Sequence, residues 1–310
     1  WAHQHQLEVV SLQFHTAAFA MSPWIHFLPR ILRGLPVVTT FHDLRYPYLF
    51  PKAGRLRDWI VSHLAHASTG VIATNHEDFI RLQAMSRAAL IPIGSNILHP
   101  LPDNFEAEYW HKQAGAPPGD FLLAYFGLVN HSKGLETLLT ALADLRQRGI
   151  PARLVFVGGG AGSSDPTNAA FMAEITALIN RLALAPHLHY TGYLDENAVG
   201  AYLAASDAVV LPFADGASYR RGSLMAAIHY GCAIITTTPA LPIPTFQHGE
   251  NLLLVPPEDS VTLAAAIQQL RDQPELRARL RQGAAVLADS FRWDTIAQQY
   301  VSFFNQPGIQ

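Results

Sequence analysis

Cysteine is nearly absent. Cys232 is the only one in 310 residues, so no intrachain disulfide can form and no zinc site can rest on several thiolates. A reducing compartment is expected, with the cytoplasm as the default. No apolar run approaches the roughly 18 residues that a spanning helix needs. The opening Trp-Ala-His-Gln-His lacks the charged and apolar regions of a signal peptide. Strong charge of either sign is also missing: 21 Lys and Arg against 24 Asp and Glu leave a net charge of −3, which excludes the basic balance of a general nucleic-acid binder. Glycine and proline, 21 of each, follow no period, so collagen-like and low-complexity chains are excluded as well. What remains is 49% hydrophobic and long enough for two globular domains of about 150 residues each.

The charge is unevenly spread. Residues 1–100 hold eight Lys and Arg against five Asp and Glu, a net +3, and the remainder is net −6. In that basic front Arg30, Arg33, Arg45, Arg55 and Arg57 accompany Trp24, Phe27 and Trp59. Such a mixture suits peripheral contact with an anionic membrane, at its inner face for a cytoplasmic protein, or with an acidic acceptor; a solvated face is the plainer alternative.

Short apolar runs ending in Gly, Pro, Asn or Asp predict strands at 7–12, 36–40, 70–74, 89–93, 121–126, 153–157, 189–191, 208–212, 233–237 and 252–255. Their nearly continuous hydrophobicity is what a parallel sheet covered on both faces requires. Between them, Leu135, Leu138, Leu139, Leu142 and Leu145 recur at helical spacing, closed by Gly149 and Pro151. Further helices are expected at 169–184, 196–205, 260–270 and 274–288. Alternation of this kind predicts doubly wound α/β sheets, and the length allows two. The stretch 94–120, with Pro100, Pro102, Pro117 and Pro118, is the natural seam. The expected division is a first domain over 1–105, a second over 106–290 and a terminal helix over 291–310 packing back toward the first.

Ligands of open parallel sheets sit beyond the carboxyl ends of the strands. After 121–126 comes Gly127-Leu-Val-Asn-His-Ser-Lys133-Gly134, a lysine beside a helix start, where phosphate is the natural partner. It is not a P-loop, since Ser132 precedes the lysine and Gly134 follows it. After 153–157, the cluster Gly158-Gly159-Gly160-Ala161-Gly162-Ser163 ends on serine where a dinucleotide fingerprint needs its third glycine, which leaves a turn that permits close backbone approach. After 208–212, Arg220-Arg221-Gly222-Ser223-Leu224 at a helix start combines bidentate phosphate donors with open N–H groups and the positive end of the helix dipole. After 36–40, Phe41-His42-Asp43 sets an imidazole beside a carboxylate. Each has a plainer reading: a solvated lysine, an arginine pair on an acidic surface, a structural histidine.

Taken in order, these residues resemble the retaining glycosyltransferases of family 4, whose GT-B architecture consists of two facing Rossmann-like lobes. The resemblance rests on Gly127, Lys133 and Gly134, with Leu128 in place of the family's arginine. It continues through Tyr190-Thr-Gly192-Tyr193, Ala205-Ser206-Asp207, Gly231-Cys232, Gly249-Glu250-Asn251 and Phe291-Arg-Trp293. It implies that the family's first strand, glycine-rich loop and first helix would precede residue 1, that the first lobe serves the acceptor and that the second binds a nucleoside diphosphate sugar. The place of the family's active-site histidine falls to His42. The positions of its paired glutamates, which contact the donor sugar and the nucleotide ribose, fall to Ser218 and Ala226. The implied activity is transfer of a sugar, with retention and without metal or other cofactor, to a glycan or lipid-linked hydroxyl. Lys133, Arg220 and Arg221 would meet the diphosphate and His42 the reacting sugar or acceptor, with Gly127, Gly192, Tyr193, Ser218, Gly222, Ser223 and Leu224 lining the donor. The alternative is a catalytically silent GT-B subunit that binds nucleotide or glycan. An epimerase would need cleft carboxylates beyond Asp43 and Asp215. The pairs His3/His5, His63/His66 and His187/His189 lack a third ligand at motif spacing, which disfavours a metal site.

Overall fold

The computed structural model of the chain describes residues 4–15, 18–32, 34–44, 56–158 and 166–309. Arg33, Arg45 and Arg55, the side chain of Arg57, His3 and the glycine-rich stretch 159–163 lie outside the described residues.

Two parallel sheets form from the apolar runs. The first contains β1 (Val10–Phe14), β2 (Val37–Phe41), β3 (Gly70–Ala73) and β4 (Ala88–Leu90) in that spatial order. The second contains β5 (Phe121–Phe126), β6 (Ala152–Val157), β7 (Leu188–Tyr190), β8 (Ala208–Leu211), β9 (Ile234–Thr237) and β10 (Leu253–Val255), ordered β10-β9-β8-β5-β6-β7. Every described pairing is parallel, as helical crossovers require. β2, β3, β8 and β9 are buried along their whole length, which explains their unbroken hydrophobicity.

Some boundaries differ from the sequence expectation for identifiable reasons. β1 begins at Val10 and continues to Phe14; Leu12 and Phe14 point into the core while Ser11 and Gln13 are exposed, so its pattern alternates instead of running apolar. β4 stops at Leu90, two residues before Pro92, and β8 stops at Leu211, next to Pro212. Proline supplies no ladder donor, so it ends these strands.

The chain divides into two compact units. The first takes the residues up to Gly94, Ser218–Arg220 and those from Arg292 onward, and the second takes Ser95–Ala217 and Arg221–Phe291. The proline-bearing stretch therefore belongs with the second unit from Ser95, not with the first to residue 105. Two contacts secure it there: Tyr230 Oη donates to the His99 carbonyl at 2.8 Å, and the His111 ring lies 2.9 Å from the Ala205 carbonyl. In the first unit Ile296, Phe303 and Ile309 pack with Val38, Ile72 and Ile91. Phe303 and Ile309 come within 3.1 Å of where a Gly70 Cβ would lie, so a side chain at that end of β3 would push these two side chains aside.

In the second unit the predicted leucine stripe is buried along the helix Leu135–Gln147, against β5, β6 and the helix Ser260–Asp272. That packing fixes the start of the helix and hence the loop before it. A similar demand falls on Gly283 in the helix Pro274–Ala288, whose missing Cβ would lie 2.1 Å from the Glu250 carbonyl oxygen. Alanine normally gains about 1 kcal/mol over glycine in a helix. Here the backbone clash outweighs that gain, and Gly283→Ala is expected to destabilise by about 1–3 kcal/mol. Denaturant midpoints with an unchanged m-value would show it; an equal or higher midpoint would refute the close approach. Among the described residues no helix is long and apolar enough to cross a membrane.

Candidate functional site

The order of the second sheet reverses at β5, which has β6 on one side and β8 on the other. The loops after β5 and β8 therefore meet at the topological switch point, where open α/β sheets bind ligands. Ala214 N–H donates to the Ser132 carbonyl at 3.1 Å. Gly134, at φ +66°, brings the loops so close that a Cβ would lie 1.8 Å from the Pro212 carbonyl oxygen. Asn130 accepts from the Ser132 amide at 3.1 Å and fixes the turn that presents Lys133.

Lys133 and Arg221 both lie over the ring of the buried Phe213, at 5.3 and 4.6 Å from its centroid. Arg221 also pairs with Asp215 and lies 3.5 Å from Ser132 Oγ. Lys133 has no hydrogen-bond acceptor or ion-pair partner among the described residues. Burial, and then Arg221, lower its pKa to about 8 against the opposing pull of Asp215. The two cations thus lie on the same ring, with Asp215 paired to Arg221.

Arg221 precedes the helix Gly222–His229 and provides no side-chain cap. The N–H groups of Gly222 and Ser223 have no acceptor among the described residues, and Ser223 Oγ is buried without a partner. The Leu224 N–H, by contrast, is used: it donates to the Arg221 carbonyl at 2.8 Å. The expected cradle of Gly222 to Leu224 is thus reduced to its first two amides. Gly127, at φ +137°, lies against Ser223: a Cβ would be 3.7 Å from Ser223 Oγ. Nearby, Tyr125, Gly127, Phe156, Gly158, Tyr190 and Gly192 help line an apolar cavity of about 90 Å³. The Phe156 and Tyr190 rings stack at 4.6 Å and 3°, and the Gly158 N–H donates to Thr191 Oγ1 at 2.9 Å. Tyr193 is 93% exposed and outside that lining. Ala226 is buried on its helix, and Ser218 groups with the first unit.

Arg220 is placed differently from its neighbour. It also groups with the first unit, held by Asp78 at 2.8 Å, Glu77 at 2.5 Å and Asp43 at 3.4 Å. Burial opposes its charge, but Asp78, Glu77 and Asp43 outweigh it and raise its pKa. Asp78 is buried too; desolvation raises its pKa, against the pull of Arg220 and the hydrogen bonds from Asn75 and Leu44. Three carboxylates thus surround the Arg220 guanidinium within the first unit, whereas Arg221 is grouped with Lys133 in the second.

His42 follows β2 in the first unit. Its Nε2 lies 2.8 Å from Gln13 Oε1, and the Gln13 amide nitrogen donates to Ser11 Oγ at 2.9 Å and to Thr40 Oγ1 at 3.3 Å. Since that nitrogen is directed at the two hydroxyls, the oxygen faces the imidazole, so neutral His42 carries its proton on Nε2 and offers Nδ1 as an acceptor. Burial, with a smaller contribution from His15, lowers its pKa and favours this neutral form. Thr40 Oγ1 in turn is 3.2 Å from Tyr300 Oη.

The sequence reading missed Gln13, Glu77, Asp78 and Phe213. Asn75-His-Glu-Asp78 carries a helix-start signal, with Asn75 accepting from the Asp78 amide at 3.0 Å. Nothing local tied it to Arg220. Among the described residues no group of three or more His, Cys, Asp or Glu is arranged to hold a metal ion.

Two parallel α/β units with ligand-directed loops at the switch point of the second define the class, and solved structures agree: the fold is GT-B. Anabaena HepE in complex with UDP aligns with a TM-score of 0.78 at 20% identity, over 97% of this chain and 79% of that one. Sucrose-phosphate synthase from Thermosynechococcus elongatus aligns with 0.73 at 23%, over 98% and 75%. More particularly, residues 120–273 match the family described as Glycosyl transferases group 1. D-inositol 3-phosphate glycosyltransferase of Jonesia denitrificans is 27% identical over 63% of this chain, which spans 45% of that protein. D-rhamnosyltransferase WbpZ of Pseudomonas aeruginosa is 27% identical over 82% of this chain, which spans 63% of it. The chain thus spans less than two thirds of the length of these curated relatives.

Proposed function

We propose that the protein transfers a sugar from a nucleoside diphosphate sugar to the hydroxyl of a glycan or lipid-linked glycan, with retention at the anomeric carbon and without a metal ion. The observation that carries this reading is the half-buried Lys133 ammonium, which has no ion-pair partner among the described residues, beside Arg221 and the amides of Gly222 and Ser223, which likewise find no acceptor among them. A diphosphate supplies the missing charge. As the bond between the sugar carbon and the diphosphate oxygen breaks, negative charge grows on the leaving group, and preorganised donors that meet it there lower the barrier. The acceptor oxygen attacks from the same face, and its proton passes to a donor phosphate oxygen. Gly127 leaves room for backbone approach, and the apolar cavity edged by Gly158, Tyr190 and Gly192 suits the apolar face of a flat ring such as a nucleobase. His42 is assigned to the reacting sugar or acceptor.

Ser218 and Ala226, in the places of the family's glutamates, remove two carboxylates from the donor contacts, so affinity rests more heavily on the diphosphate. Calorimetric titration with UDP, GDP, ADP and dTDP in the presence of a chelator tests the reading. Binding of at least one, weakened about tenfold or more by Arg221→Ala, is expected. Product release from the matching nucleotide sugar then separates a transferase from a silent binding subunit. Absence of binding to all four would refute the proposal.

A further inference from the structure

The helix Trp293–Phe304 belongs to the first unit, where Ile296 and Phe303 are buried with Val38 and Ile72, and Tyr300 and Phe304 pack partly buried against the same cluster. Positions 296, 300 and 304 fall four apart, on one helical face. Tyrosine interrupts a stripe that phenylalanine would complete. Its ring does what a phenylalanine ring would do, meeting Phe304 edge-on with centroids 5.8 Å apart. The hydroxyl is what needs a reason, since a polar group drawn toward a core costs stability unless it is hydrogen-bonded. Its partner is Thr40 Oγ1 at 3.2 Å. Burial raises the Tyr300 pKa, so the phenol keeps its proton.

Thr40 is fully buried on β2, level with Gln13 of β1. Among the described residues its hydroxyl meets two groups, the Gln13 carboxamide at 3.3 Å and Tyr300 Oη. A hydroxyl can give or accept, so Ser11 and Thr40 by themselves do not hold the Gln13 carboxamide in one orientation. Tyr300 decides it at Thr40. Once Thr40 gives its single proton to Tyr300 Oη, it has only lone pairs for Gln13 and must receive the amide N–H. The carboxamide oxygen then faces His42 Nε2, 2.8 Å away. Tyr300 is half-buried and can turn its own proton to water. The reverse polarity, Tyr300 giving to Thr40 and Thr40 to Gln13, would aim the amide nitrogen at the imidazole and make Nδ1 the protonated atom. We propose that Tyr300 is a positioning residue for His42: by accepting the Thr40 proton it orients the Gln13 carboxamide, which places the imidazole proton on Nε2 and leaves Nδ1 open as an acceptor. That His42 serves turnover rests on the transfer reaction proposed above; the tautomer it adopts does not.

The test is nitrogen-15 spectroscopy of the imidazole, with kinetics alongside, in Tyr300→Phe, which removes one oxygen and keeps the ring. The chain has 15 histidines, so the His42 signals are identified by their loss in His42→Ala. In Tyr300→Phe the Nδ1–H form is expected to rise from a trace to about half or more, with kcat falling in the same proportion. Thr40→Val removes the relay itself and is expected to act alike, whereas Thr40→Ser keeps the hydroxyl and the parent spectrum. An unchanged ring spectrum in both Tyr300→Phe and Thr40→Val would overturn the proposal, even with a lowered melting temperature, because packing alone does not choose a tautomer. An Nδ1–H form in the parent would overturn it as well. If the parent releases no product from any nucleotide sugar while the tautomer still responds to Tyr300→Phe, the transfer reading fails and the role of Tyr300 stands.

Discussion

Replacing Lys133 with methionine is expected to make the ligand-free protein more stable and the enzyme about 10²- to 10³-fold slower. Both effects come from one fact: the ammonium is half-buried with no carboxylate paired to it among the described residues. An amine that ordinarily titrates near 10.5 and here titrates at about 8 has been placed where its charge is disfavoured. Between those two values the unfolded chain binds the proton more tightly than the folded one, so stability rises with pH through that window and the cost is fully present below about pH 8. Methionine fills similar space without the charge and should recover on the order of 1–3 kcal/mol at pH 7, read as a higher melting temperature. Under the proposed function turnover moves the other way, because there the same charge would meet the leaving diphosphate. In the parent, kcat/KM should fall above about pH 8 as the free enzyme loses the Lys133 proton. The kcat limb should lie higher, because bound diphosphate stabilises the ammonium. Loss of melting temperature together with unchanged kcat/KM in Lys133→Met would refute both halves.

The tension at Lys133 also shows where sequence reasoning succeeds. The β5 and β8 loops are legible because each follows a continuous apolar strand and opens a helix, and Gly134 marks the place where the backbones of the two loops come close. The leucine stripe of 135–145 is legible because helical spacing and burial coincide. Arg220 and Arg221 were indistinguishable as adjacent letters. Their separation depends on Asp43, Glu77 and Asp78, more than 140 positions away, for Arg220, and on Asp215 and the ring of Phe213 for Arg221. Gln13 was invisible for a related reason: an exposed glutamine on an alternating strand carries no local signal, and its meaning comes from β2 lying beside β1 with Gln13 level with Thr40. Sequence periodicity locates loops; the pairing of charges across distant segments decides which side chains in them are available.

Gln13 supplies the second large expectation. If its carboxamide oxygen holds the Nε2 proton of His42, the imidazole works through Nδ1 as an acceptor, and only while neutral. His42→Ala should then lower kcat by about 10²-fold or more. Gln13→Glu distinguishes this account from simple packing. A carboxylate at that position would favour the imidazolium and raise the His42 pKa by about one unit or more, reversing the lowering caused by burial and His15. Asp43, next in the chain, is drawn to Arg220 and is present in both forms, so it does not account for a difference between them. The acidic limb of kcat against pH should therefore move upward in Gln13→Glu, with activity near that of the parent retained once the pH exceeds the new pKa. Nitrogen-15 spectra of the ring give the same information without turnover, with a protonated Nε2 and an unprotonated Nδ1 at neutral pH in the parent. A limb that stays in place, or an Nδ1–H tautomer in the parent, would remove His42 from the role of acceptor whatever the reaction proves to be. A moved limb with the expected tautomer would assign the acidic limb to this imidazole acting as a hydrogen-bond acceptor through Nδ1, with Gln13 setting the direction from which it acts.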